Sequence, residues 1–481
     1  MTKPETQDIK KKLPAIGKSA VMSFQHMFAM LGATILVPIL ANMSITMALL
    51  SAGIGTICFY FITQKKVPVF LGSSFAFLPA LISIVAGTGA AKYSPTWNLS
   101  MAAASLALVI AGVVYVALAV IIKVVGVAKI KKLFPPIVVG PVVILVGMIL
   151  APKMFWNNII GQAVWGNGAA WKQWTAAAVT AISIIGINAF ARPKSFLKVI
   201  PILLGFIIGY IYSAIIGLVS YEGVFSADRI VVFQNIGKEL GFYKGYGDPA
   251  FGTTFASAAV AIVPLAIVTF MEHLGDISAN STVCGKDFMA DPGLHKTVLG
   301  DGIATMIAGF IGGPANTTYG ENTAVLAITK NYNPKNIFVA ACMAVFFGIF
   351  SIFGDFLGTI PSPVIGGASI VLFGMISASG LRALVEGKVD FSNSKNMIVV
   401  SVTLAVGLGL GSMSMASDIS GLTYLKIMAG PVEISPLAIA TILAIILNLV
   451  IPNSKEEEAK PEPIITLTSA AAVDISDEQT K

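Results

Sequence analysis

Charge is what this sequence has least of. Asp, Glu, Lys and Arg make up 11% of its 481 residues, whereas about a quarter is usual in a soluble globular chain. That scarcity, with 56% hydrophobic residues, excludes an ordinary water-soluble enzyme or binding domain. Cysteine is nearly absent too. Cys58, Cys284 and Cys342 show no metal-type spacing, so packing is their expected role and no metal site is expected. The net charge of +7 is poor evidence for nucleic acid, because membrane proteins concentrate Lys and Arg in cytoplasmic loops. The run GLGLGS (407–412) has neither the strand nor the spacing of a dinucleotide loop. The polar start, MTKPETQDIKKKLP, has no apolar h-region before the first span, so no cleavable signal peptide is expected.

What is present is a series of apolar runs, each long enough to cross a hydrocarbon core of ~30 Å. The pattern predicts an all-α polytopic membrane protein with fourteen spans, the third at 68–86, the eighth at 255–280 and the tenth at 315–329. Spans three and ten are short, polar and punctuated by glycine. With the N-terminus inside, only Lys92, Lys153, Lys172, Arg229, Lys238, Lys244 and Lys426 fall outside. One missed span would invert every later loop and spoil that asymmetry. Both termini are therefore expected in the cytoplasm, as a tail over 1–17 and a disordered tail over 452–481.

The chain repeats itself. PIVVGPVVILVG (136–147) in span five matches PVIGGASIVLFG (363–374) in span twelve. Gln25-His26 matches Glu272-His273, and Ser73-Ser74-Phe75 matches Thr317-Thr318-Tyr319, in the same order. Seven spans per half is an odd number, so the second half enters from the opposite side. A seven-plus-seven inverted repeat is a carrier architecture, and paired interrupted spans point to its substrate site.

Carboxyls at membrane depth are costly and usually functional. Glu272 and Asp276, four residues apart, share a helix face, and Glu321 lies near the middle of span ten. Each could alternatively be a structural pairing, for which Asp276 is the strongest case. No Lys or Arg falls in the middle of a span, which favours a neutral, planar, hydrogen-bonding solute over an anion. Carboxylates accept its N–H groups, and backbone amides at half-helix N-termini donate to its carbonyls. Phe75, Phe77 and Tyr319 offer ring faces or edges, although packing is the commoner use of such residues. A desolvated carboxyl can also carry a proton. Gln25 and His26 are supporting candidates. His273 points elsewhere on its helix and reads as packing, His295 lies in a loop, and Asp301 reads as a helix-end or interface residue.

The stretches QHMFAMLGATILVP (25–38), LGSSFAF (71–77), EHLGD (272–276), KDFMADPGLHK (286–296) and NTTYGENTAV (316–325) resemble the nucleobase–ascorbate transporter family, most nearly its bacterial uracil-carrying branch. The likeness runs through nearly all the membrane region. It implies proton-coupled uracil uptake across the cytoplasmic membrane by alternating access, with no cofactor beyond the coupling proton. It also implies a core domain (18–124 and 255–354), a gate domain (125–218 and 355–451), an outer loop at 219–254, and a short strand in each interrupted span. A homodimer through the gate domain is implied as well. By motif position, Glu272 and Glu321 would bond the base, with backbone groups of Phe75 and Gly320. Tyr319 and Asn322 would support the site, beside Ser74 and Thr318. The chain departs from the uracil branch at Asp276, where many members have His. A xanthine or purine carrier is the near alternative. An intramembrane aspartyl protease using Asp276 and Asp301 lacks its glycine context, and a channel would not need paired interruptions.

Overall fold

A computed structural model describes residues 5–161, 170–192, 195–221, 237–422, 427–429 and 432–452. The expected disordered C-terminal tail lies almost wholly outside these residues, as do residues 222–236 of the outer loop.

The first half contains α1 (Glu5–Leu40), α2 (Ile45–Ile62), strand β1 (Leu71–Ser73), α3 (Leu78–Ile84), α4 (Pro95–Val125), α5 (Val127–Leu133), α6 (Pro136–Phe155), α7 (Ala170–Phe190), α8 (Phe196–Val199) and α9 (Pro201–Ile215). The second contains α10 (Phe251–Ile262), α11 (Leu265–Cys284), α12 (Leu294–Ile311), strand β2 (Asn316–Thr318), α13 (Gly320–Thr329), α14 (Pro334–Ile349), α15 (Ser351–Leu357), α16 (Ser362–Glu386), α17 (Ser394–Ser420) and α18 (Pro436–Val450). A two-residue strand pair, β3 (Met428–Ala429) and β4 (Val432–Glu433), precedes α18. Eight of the described helical segments are long and apolar enough to cross a membrane. Each of the fourteen expected spans has its element, the third as β1 with α3 and the tenth as β2 with α13. Helix α1 begins at Glu5, so the expected N-terminal tail is largely helical. Span eight is two helices, α10 and α11, meeting at Val263-Pro264.

Helix starts follow local chemistry. Pro95, Pro136, Pro201, Pro334 and Pro436 open helices at the position where a missing N–H costs nothing. Ser44 and Ser94 cap α2 and α4 by accepting from the N–H groups of Met47 and Trp97.

The helices pack in two groups. In one, α4 lies along α12 and α2 along α12 and α14; in the other, α6 lies along α16 and α18, and α7 along α9 and α16. Without a hydrophobic force between helices in lipid, close approach depends on small residues. A Cβ on Gly112 would strike Met306 and Gly302 O of α12, and one on Gly147 would strike Phe373 O and Ser377 of α16. Of the glycines paired in the sequence repeat, Gly140, Gly147 and Gly367 lie on packed faces, whereas a Cβ on Gly374 would meet nothing within 4 Å.

Strands β1 and β2 are antiparallel, with Leu71 opposite Thr318, Gly72 opposite Thr317 and Ser73 opposite Asn316. Exchanging the residues matched in the sequence repeat turns the Gly72–Thr317 pair into the Asn316–Ser73 pair. The ladder therefore has the two-fold relation an inverted repeat demands. Hydrocarbon offers no partner to non-helical backbone, so every such group must be satisfied by protein. Ser74 N donates to Ala315 O at 2.8 Å and Tyr319 N to Phe70 O at 3.1 Å. Thr56 Oγ1 accepts from Leu71 N at 2.9 Å. Ser73 Oγ donates to Thr34 O at 3.0 Å, and Thr305 Oγ1 to Asn316 O at 2.8 Å.

Candidate functional site

The strand pair ends where the half-helix α13 begins, and α11 runs beside it. Thr318 Oγ1 donates to Asp276 Oδ2 at 2.8 Å, which ties β2 to α11. A Cβ on Gly320, the first residue of α13, would lie 3.5 Å from Asp276 Oδ1. Glu321 stands in the first turn of α13, where free backbone N–H groups and the helix dipole favour an anion or a carbonyl oxygen. Glu272 has Asp276, Asp301 and Glu321 as its electrostatic neighbours. One of its carboxylate oxygens, Oε2, is buried without a hydrogen-bond partner among the described residues.

The supporting residues are placed as follows. Tyr319 is buried, and its phenol donates to Ser73 O at 2.9 Å while Thr34 Oγ1 lies 3.3 Å away. The ring therefore spans the strand pair. Asn322 Nδ2 donates to His26 O at 3.0 Å and lies 3.3 Å from His26 Nδ1, so α1 and α13 are joined through these two residues. Gln25 Oε1 and Ser74 Oγ are buried and have no hydrogen-bond partner among the described residues. Phe75 is buried, with its ring edge-on to Phe373 of α16 at 5.4 Å and 87°. Phe77 is fully enclosed among apolar side chains and offers no face to a ligand.

Two features lay outside the sequence reading. Phe373 comes from the other helix group, and nothing in its apolar run distinguishes it. Asn280 Nδ2 donates to Pro68 O at 3.3 Å and to Thr323 Oγ1 at 3.2 Å, bracing α11 against both interrupted spans. Of its two readings, helix end or interface, Asp301 takes the interface one. It lies two turns into α12, fully buried beside His273. The signal was present in Gly300 and Gly302, which flank it and admit Phe59 and Tyr115 to close contact.

An arrangement of paired strands inside two half-crossed spans, with carboxyls at the half-helix start, defines a polytopic membrane transporter and not an enzyme. The sequence profile described as "Permease family", that of the xanthine and uracil permeases, matches residues 17–415. The chain belongs to this family, the nucleobase–ascorbate transporters. It is 38% identical over 443 residues to the uracil permease of Bacillus subtilis (strain 168), covering 91% of this chain and 93% of that one. It is 32% identical over 437 residues to the uracil permease of Escherichia coli (strain K12), covering 91% and 92%. Among solved structures, the transmembrane domain of the cyanobacterial bicarbonate transporter BicA shares the fold, with TM-score 0.53, 15% identity, and 90% and 96% of the two chains covered.

Proposed function

We propose that this protein is a proton-coupled symporter that imports uracil across the cytoplasmic membrane by alternating access. The observation that carries the reading is the meeting of Glu272, Asp276 and Glu321 around the start of α13, with a backbone ladder beside them. Such a site offers carboxylate acceptors for the N–H groups of a flat base and backbone donors for its carbonyls. The relatives named uracil permeases favour that base over others. A cluster of acids in a low dielectric without a counter-cation cannot hold all of its negative charge. Protons are then natural companions of the substrate.

In this reading the α2–α4–α12–α14 group is the core and the α6–α7–α9–α16 group the gate. Phe75 on Phe373 is the point where they touch beside the site. Both termini lie in the cytoplasm, and two copies pair through the gate.

Uptake of labelled uracil into proteoliposomes with an imposed pH gradient tests the proposal. Saturable uptake that collapses with a protonophore is expected, with uracil competing better than xanthine, hypoxanthine or cytosine. Preference for xanthine would assign the purine alternative, and uptake indifferent to the protonophore would remove the coupling.

A further inference from the structure

Glu272, Asp276 and Asn280 stand at four-residue intervals on α11, on one side of the helix and each about 6 Å further along its axis. Glu272 and Asp276 belong to the site. Asn280, one turn on, carries no charge and is closed to solvent. Its amide nitrogen Nδ2 donates to Pro68 O at 3.3 Å and to Thr323 Oγ1 at 3.2 Å. Pro68 lies in span three just before β1, and Thr323 in the first turn of α13.

A carbonyl oxygen can only accept, so the amide is turned with Nδ2 toward Pro68, and both of its hydrogens are engaged. The amide oxygen faces the Cys284 thiol, whose Sγ is 3.7 Å away. Asn280 is thus committed on both sides. Hydrocarbon supplies no partner to a carbonyl in a non-helical stretch, so Pro68 O depends on protein donors. Of side chains this size, Asp would turn a second acceptor toward Pro68 O, and Leu would offer no donor.

Two side-chain bonds tie α11 to span ten. Asp276 meets Thr318 at 2.8 Å, and Asn280 meets Thr323 one turn further on. Glu321 stands between Thr318 and Thr323 in the chain, so its backbone is anchored on either side. The second bond comes from a residue that also holds span three. One side chain therefore fixes both interrupted spans against the helix that carries Glu272.

We propose that Asn280 is a positioning residue that sets Glu321 against Glu272 by holding both interrupted spans on α11. Its effect on the substrate rests on the carrier reading above; the brace itself does not.

Hydrogen–deuterium exchange of the full-length protein in nanodiscs reads the brace without substrate. Asn280→Ala should speed exchange by about tenfold or more in peptides covering 66–75 and 316–325, and leave α4 unchanged. Thr323→Val removes one bond of the two and should speed the second peptide but not the first, whereas Thr323→Ser should match wild type. Folded Asn280→Ala protein with wild-type exchange in both peptides would overturn the proposal. If Asn280→Ala does not fold, the contrast between Val and Ser at position 323 decides in the same way.

Binding adds a second arm. Asn280→Ala should weaken uracil binding by about tenfold in otherwise wild-type protein and by no more than about threefold in Glu321→Gln protein. A residue that acts through Glu321 loses its effect once that carboxylate is gone. Equal losses in the two backgrounds would count against the positioning role. Wild-type protein that binds no uracil would fault the carrier reading and leave the exchange result to decide the brace.

Discussion

Thr318 of β2 gives its hydroxyl proton to Asp276 of α11 across 2.8 Å, joining a strand and a helix at the mouth of the interrupted tenth span. A side-chain hydrogen bond contributes roughly 0.5–1.5 kcal/mol. Thr318→Val should therefore weaken uracil binding by about threefold to tenfold, and Thr318→Ser should keep most of it. Equilibrium binding to purified protein checks both. Equal affinity in Val, Ser and wild type would show that this bond does not hold the site.

Two glycines beside this bond should respond oppositely to a methyl group. At Gly320 a new Cβ meets only Asp276 Oδ1 at an ordinary 3.5 Å. Gly320→Ala should fold normally yet lose uptake, because the methyl stands where a base would reach the carboxyls. At Gly72 the Cβ runs into the Tyr319 ring and lies 2.7 Å from Thr34 Oγ1. Gly72→Ala should cost stability, about 1–3 kcal/mol by the usual scale of overpacking. Thermal unfolding in detergent beside uptake separates the two outcomes.

The Tyr319 phenol bonds Ser73 O from the far side of the ladder. Tyr319→Phe keeps the ring and leaves that buried carbonyl without this donor, a loss of about 1–3 kcal/mol. The melting temperature should fall by several degrees. Uracil affinity should fall with it if the ladder holds the backbone groups of Phe75 and Gly320 in place.

On the outer side, Tyr93 OH donates to Glu239 Oε1 at 3.0 Å. Burial pushes the Glu239 carboxyl above its ordinary range, against the opposing pull of Ser44, Tyr93 and Lys92. The folded chain thus holds this proton more tightly than the unfolded one. Its contribution to stability is fully present below the unfolded value, about 4.3, and is lost as pH rises through the raised one. Glu239→Gln retains an oxygen for Tyr93 and removes the charge. It should raise the melting temperature at neutral pH and leave it unchanged near pH 4.

Much of this molecule is legible in its sequence. The two interruptions, the span count and the repeat follow from hydropathy, loop charge and matched residues, because a bilayer restricts what can cross it. The strand pair came through the family resemblance, and the structure adds its two-fold register. Contacts between distant elements were not legible. Phe373 looks like any phenylalanine in an apolar helix until α16 brings it to Phe75. Asp301 reads as a helix-end or interface residue, and linear position does not reveal that Gly300 and Gly302 let Phe59 and Tyr115 close over it at a helix interface. Phe77, at the break, could offer a ring to the ligand or serve as packing, the commoner use, and it turns into the apolar interior.

Binding of labelled uracil to purified wild-type, Glu272→Gln and Glu321→Gln protein tests the central claim most directly. Saturable binding by the wild type is expected, with each folded variant weakened by at least about tenfold through loss of a charged acceptor. Wild-type affinity in both variants would contradict the assignment of these two carboxyls to the substrate.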